Sequence, residues 1–241
     1  MAQSIFSDWH PAVPGQDIRG PCPGLNALAN HNILPRSGQN LTVPTVVAAL
    51  GAGVNISTEI ATLLAMSALK TSDNPASGAF TLADLNKHNL IEHDGSLSRR
   101  DQGLQEGGKV TATLDEDVFD EFLKSFNGSQ SVSLPAAAAA RWSRIQASRK
   151  TNPHFSYTTT NRFSSYSETG VYYMVLQDPT TGTVPIDYLK ILFKEERLPY
   201  VEGWRPVTPI NGFSFGNTLL ALAISTPEEE ASDLVVAAAA S

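Results

Sequence analysis

One segment with strong helical periodicity limits what this chain can fold into. In "LDEDVFDEFLKSF" the apolar side chains Val118, Phe119, Phe122 and Phe126 fall on one helical face. Acidic residues crowd the first turn after Asp115, where carboxylates suit a helix N-terminus. A stripe of this kind must be buried against other elements, so the segment predicts a helix in a packed core.

Similar signals recur along the rest of the chain. The segments "TEIATLLAMSALK", "LADLNKHN" and "AAAAARWSRIQASRK" each follow a residue able to cap a helix, namely Ser57, Thr81 and Ser133. Pro44 suits the first turn of "TVVAALGAG", which we expect Gly51 or Gly53 to end, and "IDYLKILFKEERL" is expected to close before Pro199.

Strand signals are few, and the segments between the predicted helices are rich in Gly, Pro, Asn and Ser. The pattern therefore predicts a mostly α fold: a single compact helical domain over residues 1–241, with long ordered loops. Residues 1–8 and 232–241 are expected to be frayed tails.

The charge balance restricts the partners of the protein. Seventeen Lys and Arg against 24 Asp and Glu give a net charge of -7, which argues against nucleic acid or an anionic membrane as a partner. No apolar run reaches the roughly 20 residues that span a bilayer. No signal segment follows Met1, but sequons at Asn40, Asn55 and Asn127 are typical of a secreted glycoprotein whose signal was removed, so we expect an extracellular protein.

The only cysteine, Cys22, lies between Pro21 and Pro23. With Pro23 at the first helical position, Cys22 becomes the N-cap of "GLNALANHN". Its thiol then faces the backbone N–H groups of Gly24 and Leu25, which favour the thiolate. A rigid thiolate without a partner cysteine suits a nucleophile, a redox centre or a metal ligand, and the alternative is an inert buried thiol.

The surrounding residues resemble a known family. "PCPGLNALANHNILPRSGQNLT" resembles the proximal signature of the fungal haem-thiolate peroxidases, the group of unspecific peroxygenases and chloroperoxidase. "NLIEHDGSLSRRD" resembles the Glu-His-Asp-x-Ser motif of that family, and "RLPYVEGWRP" resembles a segment near its C-terminal end. The resemblance implies a buried haem b around which the helices pack, with Cys22 as the axial ligand of its iron.

The same resemblance assigns roles to the "EHDGS" loop. Glu92, Asp94 and Ser96 supply hard oxygen donors of the kind Mg²⁺ prefers, and with the backbone carbonyl of His93 and a haem propionate they are expected to bind one. Read without the family, the stretch is a polar loop. His93 assigns the chain to the short, chloroperoxidase-like branch, in which this histidine orients the distal catalytic glutamate.

The distal acid is expected well downstream, at Glu168 in "FSSYSETGVYYMVLQD". If that stretch is helical, Glu168 shares a face with Val171, Tyr172 and Val175. Ile91, next to the metal motif, is a candidate for the distal pocket. The alternative distal acids are Glu195, Glu196 and Glu202.

The implied activity is insertion of oxygen from hydrogen peroxide into C–H bonds or double bonds of small apolar or aromatic molecules, with side peroxidase activity. No reductase partner is then required, and with Cys22 committed to iron the protein is expected to be a monomer or a noncovalent dimer. A halide-oxidising haloperoxidase is the first alternative. A haem-free binding or structural protein is the second.

Overall fold

A computed structural model of the chain describes residues 4–108 and 112–228. The mostly α prediction is confirmed, because helices dominate this part of the chain. The helices are α1 Pro23–Asn30, α2 Val43–Val54, α3 Thr58–Leu69, α4 Glu116–Lys124, α5 Leu134–Thr151, α6 Thr159–Leu176, α7 Ile186–Lys190 and α8 Gly212–Ser225. A π-helical turn, Ile191–Glu195, continues α7, and short 3₁₀ turns occupy Pro75–Ser77, Leu82–Asn86, Gln102–Leu104 and Glu106–Gly108.

The β structure in the described residues consists of two very short antiparallel pairs. The strands are β1 Leu41–Thr42, β2 Ala79–Phe80, β3 Ser131–Val132 and β4 Val184–Pro185. In the first pair Leu41 faces Phe80, and in the second Val132 faces Val184. The first pair joins the start of α2 to the chain after α3, and the second joins the segments that lead into α5 and α7.

The residues expected to cap stand at the starts of their elements, and all but Ser57 make a capping hydrogen bond with their side chains. The Asp115 side chain accepts a hydrogen bond from the backbone N–H of Val118 at the start of α4, and Ser133 accepts one from Ala136 at the start of α5. Ser57 directly precedes α3. Thr81 forms a capping box with Asp84, although the element that follows is a 3₁₀ turn and not an α-helix.

The prediction that Gly51 or Gly53 ends α2 is wrong. The helix runs through both glycines to Val54 and stops at Asn55, which takes the left-handed conformation with φ 55°. Gly53 has a packing role instead, since a Cβ atom at this position would lie 2.4 Å from Cδ2 of Leu28 in α1. The glycine therefore allows two helices to approach closely.

The expectation of frayed tails differs from the structure where it can be compared. Within the predicted tail 1–8, the Phe6 ring is buried and stacks on Tyr200, with the ring centroids 4.8 Å apart. Burial of an aromatic ring offsets the entropy of ordering the chain around it. The other predicted tail, 232–241, lies outside the described residues.

The core gathers around the aromatic stripe of α4. Phe119 and Phe122 are fully buried, and the Phe119 ring stacks on Phe193 of the π-helical turn at 5.2 Å between centroids. Tyr172 of α6 meets Phe122 edge to face. These contacts fix α6 against the rest of the core.

No helix in residues 4–108 and 112–228 is long and apolar enough to span a membrane.

Candidate functional site

Cys22 occupies the N-cap of α1, as the sequence predicts, with Pro23 in the first turn. Burial raises the pKa of the Cys22 thiol, and the backbone N–H groups of Leu25 and Gly24 oppose that effect. The predicted preference for the thiolate is therefore present in the local geometry, but desolvation outweighs it in the protein alone. A positively charged metal centre at the sulfur would reverse this balance.

His93 is buried, and its two ring nitrogens face different groups. Nδ1 donates to the backbone carbonyl of Asp94 at 2.8 Å, which fixes the ring. Nε2 has no hydrogen-bond partner among the described residues and lies 3.6 Å from Oε2 of Glu168. Burial lowers the pKa of His93, but the Glu168 carboxylate and the Asp94 carbonyl outweigh it and raise the pKa to about 9.

Glu168 projects from α6, so the stretch around it is helical, as the sequence analysis supposed. Its side chain is 52% exposed, although His93 beside it is only 3% exposed. The Glu168 carboxylate is also close enough to Cys22 to raise the pKa of the thiol. The structure therefore brings Cys22, His93 and Glu168 together from three separate parts of the chain.

The three alternative glutamates have other partners. Glu196 pairs with Arg99 at 2.8 Å between Oε1 and Nη2. Glu195 and Glu202 both pair with the guanidinium of Arg197, at 3.0 and 2.8 Å. Of the four candidates, Glu168 is the one that the structure places beside His93.

Most oxygen donors of the predicted magnesium site already make hydrogen bonds or an ion pair within the protein. Glu92 is buried and its Oε2 lies 2.7 Å from Nδ1 of His88. The Ser96 hydroxyl oxygen accepts the backbone N–H of Arg99 at 3.1 Å. Asp94 accepts the backbone N–H of Ser156 through Oδ2, whereas its buried Oδ1 has no hydrogen-bond partner in the described part of the chain.

Among residues 4–108 and 112–228, no three His, Cys, Asp or Glu side chains converge in a way that could hold a metal ion. The predicted magnesium site would also use the Ser96 hydroxyl, the His93 carbonyl and a haem propionate. A group of His, Cys, Asp and Glu side chains does not include these ligands, so its absence does not test the prediction. The unpartnered oxygen of Asp94 is the feature of this loop that suits a cation. Magnesium binding stays a prediction.

The loop that carries these residues is pressed against α5. Gly95 has φ +81°, and a Cβ atom there would lie 2.4 Å from Cδ1 of Ile145. Its backbone N–H donates to Oδ1 of Asp101 at 2.9 Å. Ile91, the candidate for the distal pocket, is half-buried against the main core. A side chain of any size at position 95 would push this loop, and His93 with it, away from α5.

Sequence reasoning missed several residues that hold the site together. Burial lowers the pKa of Arg99, although Glu196 opposes that effect, and its charge acts on both Cys22 and Glu168. Tyr157 meets the His93 ring edge to face, with the centroids 6.5 Å apart. The four-residue spacing of His88 and Glu92 is a signal that could have been found. The role of Arg99 depends on contacts distant in sequence and left no local pattern.

Comparisons with known proteins identify a family and several relatives that this chain resembles. The family model described as "Peroxidase, family 2" matches residues 7–208. An aromatic peroxygenase of Cyclocybe aegerita is 30% identical over 210 residues, which cover 79% of this chain and 56% of the relative. An aromatic peroxygenase of Coprinellus radians is 29% identical over 222 residues, covering 83% and 82%. A chloroperoxidase of Leptoxyphium fumago is 26% identical over 219 residues, covering 84% and 58%.

Two of these three relatives are much longer than the matched region. The chain spans just over half the length of the Cyclocybe aegerita and Leptoxyphium fumago proteins, at 56% and 58%. The matched region nevertheless includes every residue of the site described above, from Cys22 to Glu168.

Proposed function

Because the chain belongs to peroxidase family 2, we propose that it is a haem-thiolate peroxygenase that uses hydrogen peroxide to oxygenate small organic molecules. The observation that carries this proposal is the approach of Glu168 Oε2 to the unbonded Nε2 of buried His93, at 3.6 Å, in electrostatic range of Cys22. A thiolate ligand favours cleavage of the O–O bond and a positioned carboxylate can move the proton, so the two together suit peroxide activation.

The residues present fit a haem b. Cys22 would hold the iron, since a capped thiol between two prolines offers one fixed sulfur ligand and no second cysteine competes for it. A haem held by a cysteine thiolate supplies electron density that favours cleavage of the O–O bond. The Glu168 carboxylate lies close enough to Cys22 to raise the pKa of its thiol, so the chain would offer an iron ligand and a proton carrier to one group.

Glu168 would move a proton between the two oxygens of peroxide. Its carboxylate takes the proton from the near oxygen and gives it to the far one, which leaves as water. His93 holds the carboxylate in place through Nε2, and its own ring is fixed through Nδ1 by the Asp94 carbonyl. No reductase partner is required, because peroxide supplies both the oxygen atom and the oxidising equivalents.

The "EHDGS" loop would bind Mg²⁺ next to the haem. Glu92, Asp94, Ser96 and the carbonyl of His93 are the protein donors proposed for it, and the partnerless Oδ1 of Asp94 supports this. Oε2 of Glu92 lies 2.7 Å from Nδ1 of His88, so the ion would compete with the imidazole for that oxygen.

The proposed substrates are small apolar or aromatic molecules, in line with the printed name of the two peroxygenase relatives. We also propose secretion with glycans at Asn40 and Asn127, whose side chains are exposed. The side chain of Asn55 donates to the Pro206 carbonyl at 3.1 Å and is therefore not free to carry a glycan. With Cys22 bound to iron, a monomer or a noncovalent dimer is proposed.

The test is to supply the haem-loaded protein with peroxide and either an aromatic hydrocarbon or an activated diketone plus chloride. The proposal expects oxygenated hydrocarbon. The chloroperoxidase relative favours a second function, halide oxidation, and chlorinated diketone without any hydrocarbon oxygenation would establish that function instead. Absence of both products in haem-loaded protein would reject both.

A further inference from the structure

Glu196 follows the π-helical turn and has a conformation that costs energy. Its φ of 47° lies in the left-handed region, which is unfavourable for a side chain of this kind, and π-helical turns are themselves rare. Strain of this sort persists where surrounding contacts hold it in place, often near functional sites. Neither the proton transfer nor the metal loop described above uses Glu196.

The contacts of Glu196 explain why the conformation is held. Its Oε1 accepts hydrogen bonds from Nδ2 of Asn26 and from Nη2 of Arg99, both at 2.8 Å. Its backbone carbonyl accepts from Nδ2 of Asn30 at 3.1 Å and from Nε1 of Trp9 at 3.3 Å. One residue therefore contacts α1 twice, along the side of the helix that begins at Cys22.

Asn26 connects Glu196 by hydrogen bonds to the segment before Cys22. Its Oδ1 accepts the backbone N–H of Gly20 at 3.0 Å, and its Nδ2 donates to the Gly20 carbonyl at 2.7 Å. Asn26 is fully buried, and its Nδ2 donates a second hydrogen bond to Oε1 of Glu196. Gly20 also packs closely on the Leu82 backbone, since a Cβ atom at position 20 would lie 2.1 Å from the Leu82 carbonyl oxygen.

Arg99 connects the same carboxylate to the other side of the site. Its guanidinium is buried, and its backbone N–H is bonded to Ser96 of the loop that carries His93. A buried guanidinium is costly without a partner, so the loop depends on Glu196 for the charge that balances Arg99. Glu196 is thus bonded both to the helix of Cys22 and to the loop of His93.

We propose that Glu196 is a positioning residue for the haem ligand, acting through Asn26 to fix Gly20 and thereby the direction of the Cys22 sulfur. This rests on the proposed function, since it concerns Cys22 as the axial ligand. Glu196 touches no reacting atom. Through Asn26, its carboxylate holds the segment before Cys22 in the conformation that the structure shows, in which Cys22 would hold the haem iron.

The test uses the haem-loaded protein, reduced and treated with carbon monoxide. A thiolate ligand gives a red-shifted Soret band, and a displaced or protonated sulfur gives an unshifted one. Glu196→Gly removes the carboxylate and keeps the left-handed conformation available. The ratio of shifted to unshifted band is expected to fall at least about tenfold, which is the effect of losing the hydrogen bond from Asn26 to the charged carboxylate alone.

Glu196→Gln is the milder variant and decides the matter if Glu196→Gly does not take up haem. It keeps an acceptor oxygen for Asn26 but loses the charge, so we expect a fall of about threefold, since hydrogen bonds to a charged group are about twice as strong as neutral ones. A ratio equal to that of the wild type in Glu196→Gln would overturn the proposal.

Glu195→Gln is the matched control. Glu195 is the neighbouring glutamate, but its side chain is 47% exposed and paired with Arg197. Its substitution is expected to leave the band ratio unchanged, and an equal fall in both Gln variants would also overturn the proposal. If the wild type itself shows no red-shifted band, the proposed function fails, which is a different result from unchanged variants in a protein that shows it.

Discussion

Nε2 of His93 and Oε2 of Glu168 lie 3.6 Å apart, although they come from a loop and from a helix that are distant in sequence. The histidine is buried and ordered by its own second nitrogen, while the glutamate is half-exposed. Burial lowers the pKa of His93, but the Glu168 carboxylate raises it to about 9, so a charged imidazole faces Glu168. The pair therefore provides a directed base on α6.

Glu168→Gln is expected to lower peroxide-driven turnover by about 10²–10⁴-fold, because the amide cannot accept and return the proton. Haem content and the spectrum of the carbon monoxide adduct should stay as in the wild type, since the amide keeps the size of the side chain. The control is Glu106→Gln, an exposed glutamate in a 3₁₀ turn. Full turnover in Glu168→Gln would mean that another residue is the acid.

Gly95→Ala is expected to unfold more readily than Gly128→Ala. Both glycines have positive φ, but a Cβ atom at position 95 meets Ile145 at 2.4 Å, whereas position 128 has nothing within 4 Å. Positive φ costs an alanine about 1–2 kcal/mol, and overpacking at position 95 adds about 1–3 kcal/mol. Chemical denaturation of the two variants measures the difference, and equal losses would show that the contact with Ile145 relaxes freely.

The sequence predicted helices well wherever a capping residue preceded an apolar stripe, as at Asp115 and Ser133, because both signals are local. It failed at Gly51 and Gly53, since the need for glycine at position 53 comes from Leu28 on another helix. The end of α2 was decided by the left-handed Asn55, which sequence reasoning did not consider.

The candidate site likewise combines residues that local patterns predict with contacts between distant segments that they do not. Cys22 and His93 could be selected from short motifs, and Glu168 from its place in a helix. The sequence could not show that Arg99 and Asn26 bind the alternative acid, Glu196. Such pairings join segments far apart in sequence, so no spacing rule could reveal them.

Stability is expected to fall as the pH drops from about 6.5 toward 4, because of His31. This imidazole is buried, accepts the backbone N–H of Leu198 at 3.0 Å through Nε2, and has its pKa lowered from 6.5 to about 4 by burial. His31 binds a proton near pH 6.5 in the unfolded chain but only near pH 4 in the folded protein. The contribution of neutral His31 to stability is therefore complete above pH 6.5 and is lost progressively between pH 6.5 and 4.

The loss attributable to His31 is about 3 kcal/mol over that range, which urea titrations at several pH values would measure. His31→Gln should flatten the dependence between pH 6.5 and 4, because the amide can accept the Leu198 N–H without titrating. His10→Gln, at an exposed position, serves as the control. A wild-type slope that His31→Gln leaves unchanged would assign the dependence to other groups.

Phe122→Ala is expected to destabilise the protein by about 3–5 kcal/mol through the cavity it leaves. The Phe122 ring is fully buried and meets Phe126, Tyr172 and Phe193. Phe213→Ala is the matched control, since that ring is 80% exposed, and it should change stability by no more than about 0.5 kcal/mol. Thermal or urea unfolding compares the two, and similar losses would contradict the core described above.

The most direct test of the account is the absorption spectrum of the haem-loaded, reduced protein under carbon monoxide, recorded for the wild type and for Cys22→Ala. Cys22 is the only cysteine, so no other thiolate can ligate the iron. The account predicts a red-shifted Soret band in the wild type and its complete loss in Cys22→Ala. An unshifted band in the wild type, or identical spectra for the two proteins, would contradict it.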